Sequence, residues 1–516
     1  MSSSAADSVE RVVVVGFGPV AARLVEHLEH LVVSGRMALT VIGQEQDAAY
    51  NRVLVADVAV GRTREAAIGL ADVEALTAAG IDVRLGARVT RLDRSARRVL
   101  LGNGEALPYD RLILATGSAP VLPPLDGIED ARALPPGVSF LRDLDDARAV
   151  SAALTAQQRV VVLGGGILGI EAALAAADEG ADITLVHHGR FPMERLLGEG
   201  SRILATALRN SGITVVAAAA RGIDLMDGRF AGLVLSDGSV VRGGALVIAC
   251  GVRPRVELAA EASLGTRDGV LVDHTLRAHG TQDIWAIGDC AEVRCANSSC
   301  PSCSGATAPR GLIGPGWQQA DQLGQAFSSE LQGSRSTALG PSPSHDAVVR
   351  APRNDAVMVL KARGLDAAAA GEIDVDPWAV EPGLAVAVWA DPGHGRYARM
   401  VTRHGVLTGF VCLGMPRTGA ELVLLFERRS ELPADRSSLL RLDSAEGVVA
   451  ALPPGPDATL CRCAGVTLGS VQDSVAGGCA SVPDVSTATR AGTGCGGCHE
   501  DIRVVIEHHF AVAVAP

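Results

Sequence analysis

Val12-Val13-Val14-Val15-Gly16-Phe17-Gly18-Pro19-Val20-Ala21 reads as a buried strand running into a helix through a glycine turn. Gly16 permits the tight turn, Gly18 lets the backbone approach a pyrophosphate, and Ala21 is small enough for the helix to pack on the strand. The helix that follows offers free N–H groups and a positive dipole end to phosphates. Gly16, Gly18, Pro19 and Ala21 are therefore candidate dinucleotide-contacting positions. Glycine-rich strand-to-helix turns also occur without a nucleotide, so the case rests on what recurs along the chain.

Ala38 to Ile42 reads as a second strand, followed by Gly43-Gln44-Glu45. An acid at this place accepts both ribose hydroxyls of an adenosine, which makes Glu45 the candidate; a solvated loop carboxylate is the alternative. Arg52 is a candidate partner for the pyrophosphate. Arg111 to Leu114 is a strand ending in Ala115-Thr116-Gly117-Ser118. There Thr116 and Gly117 form a small-residue turn that lets the backbone pass close to the nucleotide. A second fingerprint runs from the apolar strand Val160 to Leu163 through Gly164-Gly165-Gly166-Ile167-Leu168-Gly169-Ile170-Glu171 into a helix ending near Asp178. Its candidate positions are Gly164, Gly166, Leu168, Gly169 and Glu171. Two fingerprints, each between a strand and a helix, specify two dinucleotides. One nucleotide unit inserted within another is typical of flavin enzymes with a nicotinamide donor.

The next strand, Ala181 to Val186, ends in His187-His188-Gly189-Arg190. His187 and Arg190 suit the 2′-phosphate of NADPH, whereas backbone recognition of the ribose would leave NADH and NADPH equal. Gly251 lies in a tight turn after the strand Val247 to Cys250, flanking the nicotinamide nucleotide. Gly288-Asp289 follows the strand from Asp283 to Ile287 and can hydrogen-bond a ribityl chain or pyrophosphate. A helix beginning near Pro315-Gly316-Trp317 would aim its positive end at a flavin carbonyl and favour the anionic reduced flavin.

The chain has 516 residues, 48% of them apolar and 20% charged, which suits a multi-domain α/β protein. A net charge of -12 makes nucleic acid an unsuitable partner and a basic surface on a partner protein a suitable one. No membrane association is expected, because no apolar run reaches the length of a span. Residues 1–10 lack the basic and apolar regions of a signal peptide. A cytoplasmic location is expected, where eleven cysteines suggest metal or redox chemistry before disulfides.

Gly16 to Ala21, Ala115-Thr116-Gly117, Gly164 to Glu171 and Gly288-Asp289 resemble the two-dinucleotide FAD/NAD(P)-dependent pyridine nucleotide oxidoreductases. Tyr50-Asn51-Arg52-Val53, Gly165 to Glu171 and Met193-Glu194-Arg195-Leu196-Leu197 further resemble two groups. One is the flavin region of NAD(P)H-dependent nitrite reductase large subunits. The other is the electron-transfer subunits of assimilatory nitrate reductases. The resemblance covers residues 10–330. It implies an α/β fold with two interleaved Rossmann-like domains, 10–120 plus 268–330 for FAD and 121–267 for NAD(P)H. After a Pro/Gly/Ser-rich linker at 331–350 it implies a small α+β interface domain at 351–450. A second break at 452–457 separates a final module, 457–516. The family's disulfide reductases carry a redox cysteine pair in the first domain, but no cysteine precedes Cys250, so electrons must leave by another route.

The final module offers Cys461-Arg462-Cys463 and, after 31 intervening residues, Cys495-Gly496-Gly497-Cys498. Four thiolates in two close pairs can surround zinc or an iron–sulfur centre. The order C-x-C before C-x-x-C, with Val466-Thr467 and Thr493-Gly494 beside the pairs, resembles the helical bacterioferritin-associated-ferredoxin-like (BFD-like) [2Fe–2S] domain. That resemblance makes Cys461, Cys463, Cys495 and Cys498 the ligands of a [2Fe–2S] cluster. Cys479, between the pairs, reads as a packed thiol. Cys295, Cys300 and Cys303 have plant-type ferredoxin spacing, with Cys290 or a distant cysteine such as Cys412 as a candidate fourth ligand. They read as a Cys-rich loop or, alternatively, as a second iron–sulfur or zinc site.

The expected function is electron transfer from NADH or NADPH through FAD and the [2Fe–2S] cluster to a separate protein. No side chain is required as an acid or base, so no catalytic residue is assigned. Nitrite reductases of the resembling type continue into a sirohaem and [4Fe–4S] region, and the chain ends at Pro516 without one. Direct nitrite reduction is therefore not expected. By resemblance the acceptor is the catalytic subunit of an assimilatory nitrate reductase, followed by a nitrite reductase. A general ferredoxin- or rubredoxin-type reductase and a non-catalytic redox-sensing or iron-release module are the rival readings.

Overall fold

The computed structural model describes residues 9–131, 133–294, 311, 313–331, 357–362, 365–443, 455–461, 464–494 and 497–514. The first two-thirds of the chain lay down β1 (Glu10–Val15), α1 (Pro19–Val33), β2 (Met37–Ile42), β3 (Asp82–Arg84), β4 (Arg111–Leu114) and β5 (Val138–Phe140). They continue through β6 (Val160–Leu163), α2 (Ile167–Asp178), β7 (Ile183–His187), β8 (Thr214–Ala217), β9 (Ala245–Ile248), β10 (Ile284–Ala286) and α3 (Ile313–Leu331).

The strands sort into two parallel sheets. The first has the order β10-β4-β1-β2-β3 and the second β8-β7-β6-β9-β5. In each, the fingerprint strand is central and covered on both faces, which is why β1 and β6 are unbroken apolar runs; Val12 to Val15 are all buried. Register follows directly, with Val15 opposite Ile42 on one side and Leu114 on the other. The chain leaves the first sheet after β4, builds the second, and returns with β10 beside β4. The two crossings run side by side, since Ser118–Pro120 pairs antiparallel with Val252–Pro254. The interleaving expected from the resemblance is therefore present.

The next unit comprises β11 (Met358–Ala362), β12 (Leu365–Gly371), β13 (Leu384–Asp391), β14 (Arg396–Arg403), β15 (Val406–Leu413) and α4 (Pro416–Glu427). Its antiparallel sheet has the order β11-β12-β15-β14-β13. α4 covers one face, where Phe426 meets Phe410 edge-on at 5.7 Å. The other face packs on the second sheet's helices. Gly200 sits there because a Cβ would lie 2.8 Å from Leu413 Cδ1.

The final module has a hairpin of β16 (Thr459–Cys461) and β17 (Val466–Thr467), then α5 (Leu468–Ala476), α6 (Val482–Thr489) and α7 (His499–Val514). Thr467 and Ser481 accept the capping N–H groups of α5 and α6. Val471, Val475, Val485, Ile502 and Ile506 form its core, with Cys479 packed against them. An Arg490–Glu26 ion pair joins the module to α1. The expected linker at 331–350 lies outside the described residues apart from Leu331, as does the break at 452–457 apart from Gly455, Pro456 and Asp457. Among the described residues no helix is long and apolar enough to cross a membrane.

Candidate functional site

Both glycine turns solve the same packing problem. Gly16 has φ 108°, and a Cβ on it would lie 2.1 Å from the Ala115 carbonyl oxygen. Gly164 has φ 129°, with the corresponding Cβ 2.3 Å from the Ala249 oxygen. The third position of each fingerprint lets helix meet strand. Ala21 is buried, and a Cβ on Gly169 would lie 2.1 Å from the Gly164 oxygen. The middle glycines differ, because they border open space. Only Arg52 Nε, at 4.0 Å, approaches the Cβ position of Gly18, and nothing lies within 4 Å of that of Gly166. The outer positions thus serve the protein's own packing, and the middle ones leave room for a close-approaching phosphate.

Both turns open into one cavity of about 2720 Å³, well above the ~300–1,000 Å³ of a single small-ligand pocket. Gly18, Pro19, Thr116, Gly117, Gly288 and Asp289 border it from the first sheet. Gly166, Leu168, Glu171 and Gly251 border it from the second.

Three arginines converge on its wall. Arg142, just after β5, donates to Ser118 Oγ at 2.7 Å and to Asp289 Oδ2 at 3.2 Å. Ser118 Oγ in turn donates to the same carboxylate at 2.7 Å. Arg255 forms no ion pair among the described residues. Burial, followed by the nearby positive charge of Arg52, lowers the pKa of both Arg142 and Arg255. Clustered, partly desolvated cations favour an anion such as a pyrophosphate between them. Sequence reasoning missed Arg142, Arg255 and Ser118. A signal did exist for Arg142, which directly precedes the Asp143–Asp146 capping box of the helix Leu144–Thr155.

Arg52 and Glu45, expected on the pyrophosphate and the adenosine ribose respectively, are bonded to each other. Tyr50 Oη donates to the other Glu45 oxygen at 2.6 Å, and Arg52 donates to Tyr50 Oη at 3.1 Å. Both residues border the cavity as one unit.

α3 starts at Ile313, earlier than Pro315, because proline is tolerated in a first helical turn. Trp317 consequently faces α1, where it is fully buried and its Nε1 donates to the Pro19 oxygen at 3.3 Å. The cavity wall at this helix is made by Ile313, Gly314, Pro315 and Gln318 instead. His187 is buried, and burial followed by His188 lowers its pKa. Arg190 is exposed, 5.2 Å over the Phe191 ring. Neither His187 nor Arg190 borders the cavity.

Cys461 and Cys498 are buried and border this same cavity. Cys463 and Cys495 lie outside the described residues, as do Cys295, Cys300 and Cys303. Cys290 is fully buried beneath the first sheet, its Sγ 3.2 Å from the Ile287 oxygen and 3.4 Å from that of Leu114. Among the described residues no cluster of three or more His, Cys, Asp and Glu side chains is arranged for a metal. Cys250 is a packed thiol whose pKa burial pushes up to about 11. The glycine cradles and the arginine trio fit an anionic dinucleotide, and the buried thiols of Cys461 and Cys498 fit an iron–sulfur centre.

Residues 10–309 match the pyridine nucleotide-disulphide oxidoreductase family, and residues 459–508 match the BFD-like [2Fe-2S] binding domain. The chain is 27% identical to the nitrite reductase [NAD(P)H] of Bacillus subtilis, over 97% of this chain and 58% of that protein. It is 26% identical to the assimilatory nitrate reductase electron transfer subunit of the same organism, over 95% of this chain and 58% of that one. The chain spans about half the length of the curated relatives it matches. A solved structure of the covalent putidaredoxin reductase–putidaredoxin complex shares the fold, with a TM-score of 0.68 at 18% identity over 85% of this chain and 99% of that one.

Proposed function

This chain belongs to the pyridine nucleotide-disulphide oxidoreductase family and carries a BFD-like [2Fe-2S] binding domain; from that premise we propose that it is the electron-transfer subunit of an assimilatory nitrate reductase. It is an NAD(P)H-dependent oxidoreductase with FAD and [2Fe–2S] as cofactors. FAD supplies hydride acceptance from the nicotinamide, and the cluster supplies one-electron release to the acceptor protein.

The chain's own residues bind, orient and exclude water. Gly16 to Ala21, Thr116, Gly117, Gly288 and Asp289 would hold FAD, with Arg142 and Arg255 balancing its pyrophosphate. Gly164 to Glu171 and Gly251 would hold the nicotinamide nucleotide. Cys461, Cys463, Cys495 and Cys498 would hold the cluster. We assign 10–120 with 268–330 to FAD, 121–267 to NAD(P)H, 351–450 to an interface domain and 457–516 to the cluster. No side chain is assigned an acid–base role, because hydride and electron transfer require positioning and electrostatics.

One observation supports the reading: both glycine turns and the proposed ligands Cys461 and Cys498 border a single cavity. The test is to reduce the protein anaerobically with NADH or NADPH and mix it with a nitrate reductase catalytic subunit, with a small ferredoxin, or with a nitrite reductase sirohaem unit. Faster oxidation by the nitrate reductase subunit supports the proposal. Faster oxidation by the ferredoxin or the sirohaem unit assigns the chain to that acceptor instead.

A further inference from the structure

Asn51 stands between Tyr50 and Arg52 in the chain but, unlike Arg52, does not border the cavity; its side chain points to the C-terminal module. It is 2% exposed. Its Nδ2 donates to the Thr493 oxygen at 2.5 Å and to the Gly494 oxygen at 2.6 Å. Its Oδ1 accepts from Val53 N at 3.0 Å, capping the turn at Arg52–Leu54. The backbone N–H of Asn51 donates to the Ile68 oxygen at 2.8 Å. These bonds fix which way the amide faces, since a flipped amide would set its oxygen against two carbonyls and its NH₂ against an N–H. Thr493 and Gly494 directly precede Cys495, and Gly497 and Cys498 border the flavin-side cavity.

We propose that Asn51 is a positioning residue: its carboxamide fastens Thr493 and Gly494, the two residues that lead into the C-x-x-C pair, to the FAD-binding domain and so fixes the cluster's place relative to the flavin. The Arg490–Glu26 ion pair is a second tie on the same side of the module, so the module works docked, as a resident carrier. The inference rests on the proposed electron route, because only there does a fixed separation matter. Electron tunnelling falls steeply with distance, so a loop released by a few ångströms slows transfer without altering either carrier.

Two variants separate fastening from capping. Asn51→Ser keeps an N-cap oxygen but cannot reach the two carbonyls, whereas Asn51→Ala loses both roles. The full-length holoprotein is examined by amide hydrogen exchange over residues 490–498 and by anaerobic stopped-flow mixing with NADH or NADPH. Both variants should exchange at least tenfold faster in this loop, and Asn51→Ser, which keeps the cap beside Arg52, should keep wild-type flavin bleaching. Both should slow the subsequent cluster bleaching at least tenfold, with iron content and thermal midpoint of Asn51→Ser unchanged. Loop exchange in Asn51→Ser equal to wild type overturns the proposal, and so does faster loop exchange with an unaltered cluster phase. Absence of a cluster phase in the wild-type protein refutes the electron route instead, and the exchange measurement then decides the fastening by itself.

Discussion

Arg142 Nη2 lies 3.2 Å from Asp289 Oδ2, a contact that closes the cavity wall between the second residue after β5 and the turn after β10. Ser118 Oγ bonds to both partners. Arg142 thus has one carboxylate to share and, with Arg52 and Arg255 nearby, carries charge that a pyrophosphate would balance. Replacing it with methionine keeps volume and removes the charge-assisted bonds, each worth about 1.5–3 kcal/mol. FAD titration into Arg142→Met apoprotein should show affinity weaker by ~10–100-fold. Wild-type affinity would remove Arg142 from the FAD site.

The fingerprint glycines should separate by position. Gly16→Ala sets a Cβ 2.1 Å from backbone and forces a positive φ on alanine, so the variant should lose FAD and stability together. Gly166→Ala meets nothing within 4 Å, so it should keep its thermal midpoint and FAD content. Its KM for the nicotinamide should still rise by about tenfold or more, because the methyl occupies the phosphate's approach. Steady-state kinetics beside flavin quantification tests both.

Much of this fold was legible because parallel strands buried on both faces leave unbroken apolar runs. Val12 to Val15 and Val160 to Leu163 could be read directly, and so could the glycines that follow them. Contacts between distant segments were not legible. Arg142 meets Ser118 across 24 positions and Asp289 across 147, and Asn51 meets Thr493 across 442. Glu45 and Arg52 were read as separate ligands because loop geometry, which brings them together, has no periodic signature. The helix that carries Trp317 was legible, but not that its first turn begins at Ile313 and that the Trp317 side chain packs against α1.

Asp146 predicts a pH dependence. Burial, then the neighbouring Asp143 charge, pushes its carboxyl up to about 6. Its carboxylate accepts from the backbone N–H of Arg142 at 2.7 Å and of Asp143 at 3.3 Å. A folded-state pKa above the unfolded ~3.9 means a stabilising contribution that is complete below pH ~4 and lost as pH rises through about 6. Asp146→Asn removes this titration and keeps an acceptor. Between pH 4.5 and 7 the wild type should lose about 1–2 kcal/mol relative to the variant. Parallel denaturation curves at the two pH values measure it, and an unchanged difference would contradict the assignment.

Cys498 tests the order of carriers. In Cys498→Ser, iron should fall from about two per chain to near none while the flavin ratio stays at wild type. Reduction of an artificial dye by NAD(P)H should stay within about twofold, while reduction of the protein acceptor should drop at least a hundredfold. Equal loss of both activities would show that the cluster is not the outlet.

The most direct test of the account is the visible spectrum of the purified protein under anaerobic titration with NADH and, separately, NADPH, with flavin, iron and zinc assayed on the same sample. One flavin and about two irons per chain, both chromophores bleaching with the nicotinamide, is the predicted result. Flavin with zinc and no iron, or a cluster that stays oxidised while the flavin bleaches, would contradict transfer from NAD(P)H through FAD to the [2Fe–2S] module.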